Sequence, residues 1–219
     1  MSKRNKNSRN AEYLQQVSEG ETAVILSELR HVLEAGTSGD IVEFGCYRGD
    51  TSLLLERILE REFPGNAARL WIYDSFEGLP ARSYEDASVA GDGFKQGELS
   101  VTKREVIERF KKAGLHAPRV RKGFFENLAT SDLPEEIAFA FLDGDLYQSI
   151  KASLELVVPR MNPKGVILVH DYNNPQLPGS ARAVDEWMAG GWRSWPGADT
   201  QKTAPHLQRR ESLAIISWL

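Results

Sequence analysis

Cysteine is almost missing from this 219-residue chain, with Cys46 its sole copy. One thiol cannot form an internal disulfide or a cysteine-rich zinc motif, and it fits a reducing compartment, so a cytoplasmic setting is expected. No run approaches the ~18 apolar residues that span a bilayer, and no membrane association is expected. The first ten residues hold Lys3, Arg4, Lys6 and Arg9 without an apolar stretch, which does not read as a secretory signal. A basic surplus is lacking too: Lys plus Arg number 27 against 31 Asp plus Glu, for a net charge of −4. Because the first ten residues carry four cations and no acid, the remainder carries −8. An acidic body is a poor electrostatic match for polyphosphate, so no nucleic-acid partner is expected. Also missing is the Gly-x-Gly-x-x-Gly pattern that cradles a pyrophosphate, which argues against a nicotinamide-dependent oxidoreductase.

What is present is ordinary for a globular domain: 41% hydrophobic, 26% charged and 9% aromatic residues. We expect a basic extension over residues 1–19 and a single domain over 20–219. Within it, helical and extended patterns alternate. Ser18 and Glu21 form a capping box ahead of a helix over Glu21–Ala35, ended by Gly36. A strand at Ile41–Phe44 precedes a helix from Thr51 to Glu62, with Asp50 as the expected N-cap. Leu70–Tyr73, Arg119–Gly123, Ile137–Leu142 and Val166–His170 read as further strands, nearly all apolar. Helices are expected after Thr102, over Gln148–Val158 and over Ala181–Met188, and Ser212–Trp218 closes the chain as a strand. The segment of about residues 75–100 is glycine-rich and aperiodic, the mark of a lid-like functional loop. Alternation of this kind requires helical crossovers between parallel strands, hence a Rossmann-like α/β fold with helices on both faces.

In such sheets ligands bind beyond the carboxyl ends of the strands. The first strand leads into Glu43-Phe-Gly45-Cys46-Tyr47-Arg-Gly49-Asp-Thr51-Ser52, where two glycines allow a tight turn at a helix start. A purely structural turn and a ligand-cradling one are both compatible with that spacing. The second strand ends at Asp74-Ser75-Phe76, with an acid where nucleoside sites place one for ribose hydroxyls and an aromatic that can flank adenine. Asp143 and His170-Asp171 follow the next two core strands. If those strands are neighbours, the three converge in a set suited either to a hard divalent cation or to a general base. Asp145 reads equally as a helix cap. Cys46 lacks a His partner and reads as packing; His31 and His116 read as surface residues and His206 as a loop residue. Trp187, Trp192, Trp195 and Trp218 read as core or interface.

The Glu43-to-Ser52 segment resembles the first motif of class I S-adenosylmethionine-dependent methyltransferases. The segments Asp74-Ser-Phe-Glu-Gly-Leu-Pro80, Asp143-Gly-Asp-Leu-Tyr147 and His170-Asp-Tyr172, followed by Pro178-Gly179 and Ala183-Val-Asp-Glu-Trp187, resemble the macrocin O-methyltransferase (TylF-type) family. The similarity runs over roughly residues 20–190. It implies a seven-stranded, mostly parallel sheet with a C-terminal antiparallel strand, and O-methylation of a hydroxyl on a sugar or other natural-product acceptor. S-adenosyl-L-methionine is the implied cofactor, bound by Glu43, Gly45, Cys46, Tyr47, Gly49, Thr51, Ser52, Asp74, Ser75, Phe76, Gly123, Phe124 and Asp143. In the family a Mg²⁺ is held by an acid matching Asp143 and by two consecutive acids matching His170-Asp171. His170 departs from that pattern, since imidazole favours Mn²⁺ or later metals. The implied metal set is therefore Asp143, His170 and Asp171, with Mg or Mn as the ion. Asp143 and His170 are the implied catalytic pair if no metal takes part. A nitrogen or carboxylate acceptor, a non-catalytic cofactor-binding relative and a homo-oligomer stay open.

Overall fold

Seven strands form one sheet in the order β3-β2-β1-β4-β5-β7-β6, in a computed structural model that describes residues 16–66, 68–91, 93–194 and 204–218. The strands are β1 (Asp40–Phe44), β2 (Leu70–Asp74), β3 (Arg119–Lys122), β4 (Ile137–Leu142), β5 (Met161–Val169), β6 (His206–Arg210) and β7 (Leu213–Ser217). The first five are parallel, whereas β7 runs antiparallel to β5 and β6 antiparallel to β7. Strand order reverses between β1 and β4, and that switch point opens the crevice in which such sheets bind ligands.

Five main helices cover the sheet: α1 (Glu19–Glu34), α2 (Asp50–Glu62), α3 (Lys103–Ala113), α4 (Tyr147–Val157) and α5 (Pro178–Glu186). One buried cluster packs α1, α2 and α3 on one face through Ile25, Leu29, Leu55 and Phe110. The other packs α4 and α5 on the opposite face through Ile150, Leu154, Val184 and Trp187. β4, Ile-Ala-Phe-Ala-Phe-Leu, lies at the centre with every residue buried, because both of its faces are covered. Trp187 and Trp192 belong to the second core and Trp218 packs edge-on against Trp187, while Trp195 lies outside the described residues.

Local chemistry sets most helix ends where the sequence predicts. Ser18 with Glu21 and Thr102 with Glu105 close complete capping boxes at α1 and α3. Four expectations need correction. Gly49, in the left-handed conformation, is the N-cap of α2; Asp50 is helical and its carboxylate is taken by Arg109. β3 is not apolar: Arg-Val-Arg-Lys is an exposed edge strand, and its charges discourage edge-to-edge pairing. His206 opens β6 rather than lying in a loop; that strand is mostly polar because it forms the other edge, so it carries no core pattern. Residues 16–19 are not a free extension either: Val17 packs on the first core and Ser18 caps α1.

Candidate functional site

The turn after β1 is shaped by how closely β4 approaches it. Gly45 has φ +85°, and a Cβ there would lie 2.0 Å from the carbonyl oxygen of Asp143, so only glycine fits. Asp74, at the end of β2, fastens that turn. Its Oδ2 accepts the backbone N–H groups of Cys46 (2.9 Å) and Tyr47 (3.1 Å), and its Oδ1 accepts that of Phe76 (2.7 Å). Three bonds leave little of the carboxylate's capacity of about four acceptor sites. Asp74 is thus first a clamp between two strand ends, at the border of the cleft.

Behind the turn, Glu43 is 1% exposed and Ser52 Oγ donates to its Oε2. Burial pushes Glu43 up to about 8 against the Ser52 bond, and the nearby Asp143, Asp74 and Asp50 add to the rise. Burial likewise raises the Cys46 thiol well above its ordinary value, which leaves it a neutral packing group.

Three clefts open at the switch point. One is lined by Gly45, Tyr47, Asp74, Ser75, Leu79 and Phe124, with Phe125, Gly144 and Ser149 at its base. A second runs past Glu43, Cys46, Tyr47 and Thr51 toward the start of α1. The third lies under the long loop, between Phe94, Glu98 and Leu99 on one side and His170, Asp171 and Asn174 on the other. Asp143 and Gln16 border all three. Among the expected cofactor residues, Gly49, Ser52, Phe76 and Gly123 do not line these clefts. Phe76 is buried in the first core at φ +53°, Ser52 is fully buried on Glu43, and Gly49 and Gly123 shape the backbone instead.

Asp143, His170 and Asp171 do converge, because β4 and β5 are neighbours. One ligand atom from each lies within 4.8 Å of the others. His170 is their centre: Nδ1 lies 2.8 Å from Asp143 Oδ1 and 3.1 Å from Asp171 Oδ2, while Nε2 faces Glu21 Oε1 at 3.4 Å. Burial alone would favour the neutral ring, yet Asp143, Asp171 and Glu21 together hold its pKa strongly up. The facing His170 pulls Glu21 down to about 2 against burial. Burial pushes Asp171 up, but the His170 bond and charge outweigh it and keep it ionised. Asp143 is raised by burial, with His170 opposing. Asp145, at φ +60°, is raised well above its ordinary range by burial beside Asp143 and Asp171; Leu146, not Asp145, is the N-cap of α4.

His170 lies among three carboxylates, with Nδ1 hydrogen-bonded to Asp143, and Nε2 is buried without a hydrogen-bond partner among the described residues. Charged, the ring joins Asp143 and Asp171 as a cation; neutral, it leaves one nitrogen lone pair beside the two acids, so Asp143, His170 and Asp171 could hold a divalent ion.

Sequence reasoning missed Gln16, Glu21, Leu79, Phe125 and Ser149. Glu21 carried a visible signal as half of a capping box, but nothing in the sequence ties it to His170. Asp86 was missed as well. Its Oδ1 accepts the backbone N–H of Tyr147 (2.7 Å) and its Oδ2 accepts Ser83 N–H and Oγ–H. Hence a loop residue that is 1% exposed caps the helix following the Asp143 turn. Arg82 and Ser88 add bonds to the carbonyls of Gln176 and Pro175. Replacing Asp86 with Ala strands two backbone N–H groups, and we expect a loss of about 2–4 kcal/mol in urea unfolding. Faster proteolytic cleavage within residues 75–100 should accompany it; an unaltered cleavage pattern would mean that Asp86 does not hold the loop.

Comparison with known proteins adds a common thread. The model of the macrocin-O-methyltransferase (TylF) family matches residues 23–190. The 8-demethyl-8-(2,3-dimethoxy-alpha-L-rhamnosyl)-tetracenomycin-C 4'-O-methyltransferase of Streptomyces olivaceus is 34% identical over 146 residues, covering 64% of this chain and 56% of that protein. The demethyldecarbamoylnovobiocin O-methyltransferase of Streptomyces niveus is 30% identical over 165 residues, covering 72% and 61%. The chain therefore matches less than two thirds of the length of these relatives. Among solved structures, the O-methyltransferase NovP superposes with a TM-score of 0.72 at 25% identity, over 91% of this chain and 79% of that one.

Proposed function

The chain belongs to the macrocin-O-methyltransferase (TylF) family, and from that membership we propose that it transfers a methyl group from S-adenosylmethionine to a hydroxyl of a small natural-product acceptor, a sugar hydroxyl in particular. One observation carries the reading at this site: Asp143 borders the two clefts at the glycine turn and also the cleft under the loop. Donor and acceptor held in separate clefts would meet at its carboxylate.

The residues fit the cofactor. Gly45 keeps the turn open beside β4, Asp74 fixes the backbone there, and Leu79, Phe124 and Phe125 offer an apolar slot for a flat heterocycle. When bound, S-adenosylmethionine supplies an activated methyl on a sulfonium sulfur. The chain must then orient the acceptor oxygen and receive its proton. Asp143 suits the second of these roles, since Oδ1 is bound to His170 Nδ1 and Oδ2 has no hydrogen bond among the described residues. In this reading Asp143 Oδ2 would receive the acceptor hydroxyl's proton as the oxygen takes the methyl carbon and the methyl–sulfur bond breaks, the sulfonium leaving as a neutral thioether. His170 keeps its charge and holds Asp143 in position, a positioning residue rather than the base. The third cleft, with Glu98, Asp171 and Asn174, offers acceptors and an amide to a polyhydroxylated ring, and its acids disfavour a carboxylate substrate. The loop over about residues 75–100 covers that ring and excludes water.

Calorimetric titration with S-adenosylmethionine tests the first half of this proposal. One cofactor per chain should bind, with the same affinity before and after chelator treatment. No binding in either condition would remove the methyltransferase reading, and binding only with Mg²⁺ restored would remove the metal-free one.

A further inference from the structure

At the amino-terminal edge of the sheet, opposite the clefts, a second group of ligating side chains comes together. Glu56 and Glu60 lie four residues apart on α2 and so project from one face of it. The loop between α3 and β3 brings His116 to them: its Nδ1 lies 2.8 Å from Glu60 Oε1, and its backbone N–H donates to the same oxygen. One ligand atom from each of the three lies within 4.8 Å of the others. Glu56 distinguishes this group from an ordinary surface ion pair. It is 8% exposed, faces the hollow shared with Glu60 and His116, and has neither a hydrogen bond nor an ion pair among the described residues. Burial and the neighbouring Glu60 push it up to about 7, against the opposing pull of His116 and Arg69. Two arginines border the hollow: the Arg119 guanidinium lies over the Trp71 ring, and Arg69 Nη1 donates to the Ala68 carbonyl while its charge still acts on Glu56.

We propose that Glu56, Glu60 and His116 bind a late first-row divalent cation, of which Zn²⁺ is representative. Two carboxylates and one imidazole are three ligands of the kind such ions take, and the solvent side leaves room for water as the fourth. His116 coordinates as the neutral ring and gives up its hydrogen bond to Glu60. The ion ties α2 to the loop before β3 and so stabilises the folded chain by mass action, without reaching the methyl-transfer site.

The test is calorimetry and thermal unfolding of the untagged, metal-stripped full chain with Zn²⁺ alone. One ion should bind per chain and raise Tm. Glu56→Gln and His116→Ala should each weaken binding by at least ~10-fold, and Asp143→Asn should leave it unchanged. Because the His116 side chain is exposed, His116→Ala keeps the test valid even if Glu56→Gln misfolds. Absence of binding, binding that survives His116→Ala, or binding lost in Asp143→Asn would overturn the proposal.

Discussion

Replacing Asp143 with Asn should slow methyl transfer by about 10²–10⁴-fold, the usual cost of removing a positioned proton acceptor. The substitution keeps the shape and the contact with His170, so the loss should appear in kcat. Affinity for S-adenosylmethionine should stay within a few-fold of wild type. The geometry sets this expectation: Asp143 is 16% exposed along its side chain, borders all three clefts and, among the described residues, has only one oxygen in a hydrogen bond. Turnover close to wild type would remove Asp143 from the mechanism. Loss of cofactor binding together with turnover would mean that it builds the site instead of acting in it.

Glu43→Gln should change the pH dependence of stability by a few kcal/mol. Folded Glu43 has its pKa pushed up to about 8, whereas its ordinary value is 4.5. Between those values the native state holds more protons at this residue than the unfolded state does. The stability contribution is therefore complete below pH 4.5 and disappears as pH rises to 8. Glutamine still accepts the Ser52 bond but does not titrate. The variant and wild type should thus differ little at pH 4.5 and increasingly toward pH 8.5, where the variant is the more stable. Urea denaturation at the two pH values reads the difference, and parallel behaviour of both proteins would show that Glu43 stays ionised in the fold.

The helices and core strands were legible because each carries its own local signal. β4 shows an unbroken apolar run, α1 and α3 show capping boxes, and Gly114 ends α3 in the left-handed conformation its position demands. Of the two edge strands, β3 was placed but wrongly expected to be apolar, and β6 was not seen as a strand. β3 and β6 are held by ladder hydrogen bonds to β2 and β7, and most of their side chains meet solvent, so hydrophobic patterning has nothing to report.

The site divides along a similar line. Asp143, His170 and Asp171 could be picked out because polar residues follow directly on apolar strands. That His170 sits among three carboxylates depends on Glu21, which lies 149 positions earlier and reaches it only because α1 packs across the end of β5. Asp86 reaches the Tyr147 N–H across 61 positions in the same manner.

By itself, then, the chain determined its class of fold, its family resemblance and which strand ends carry chemistry, since these follow from periodicity, caps and short motifs. Only the tertiary structure decided which motif residues face a cleft and which merely shape backbone. It also decided which carboxylates surround His170 and that Glu56 is buried beside Glu60 and His116. Charge state and burial are set by neighbours distant in sequence, and no local pattern encodes them.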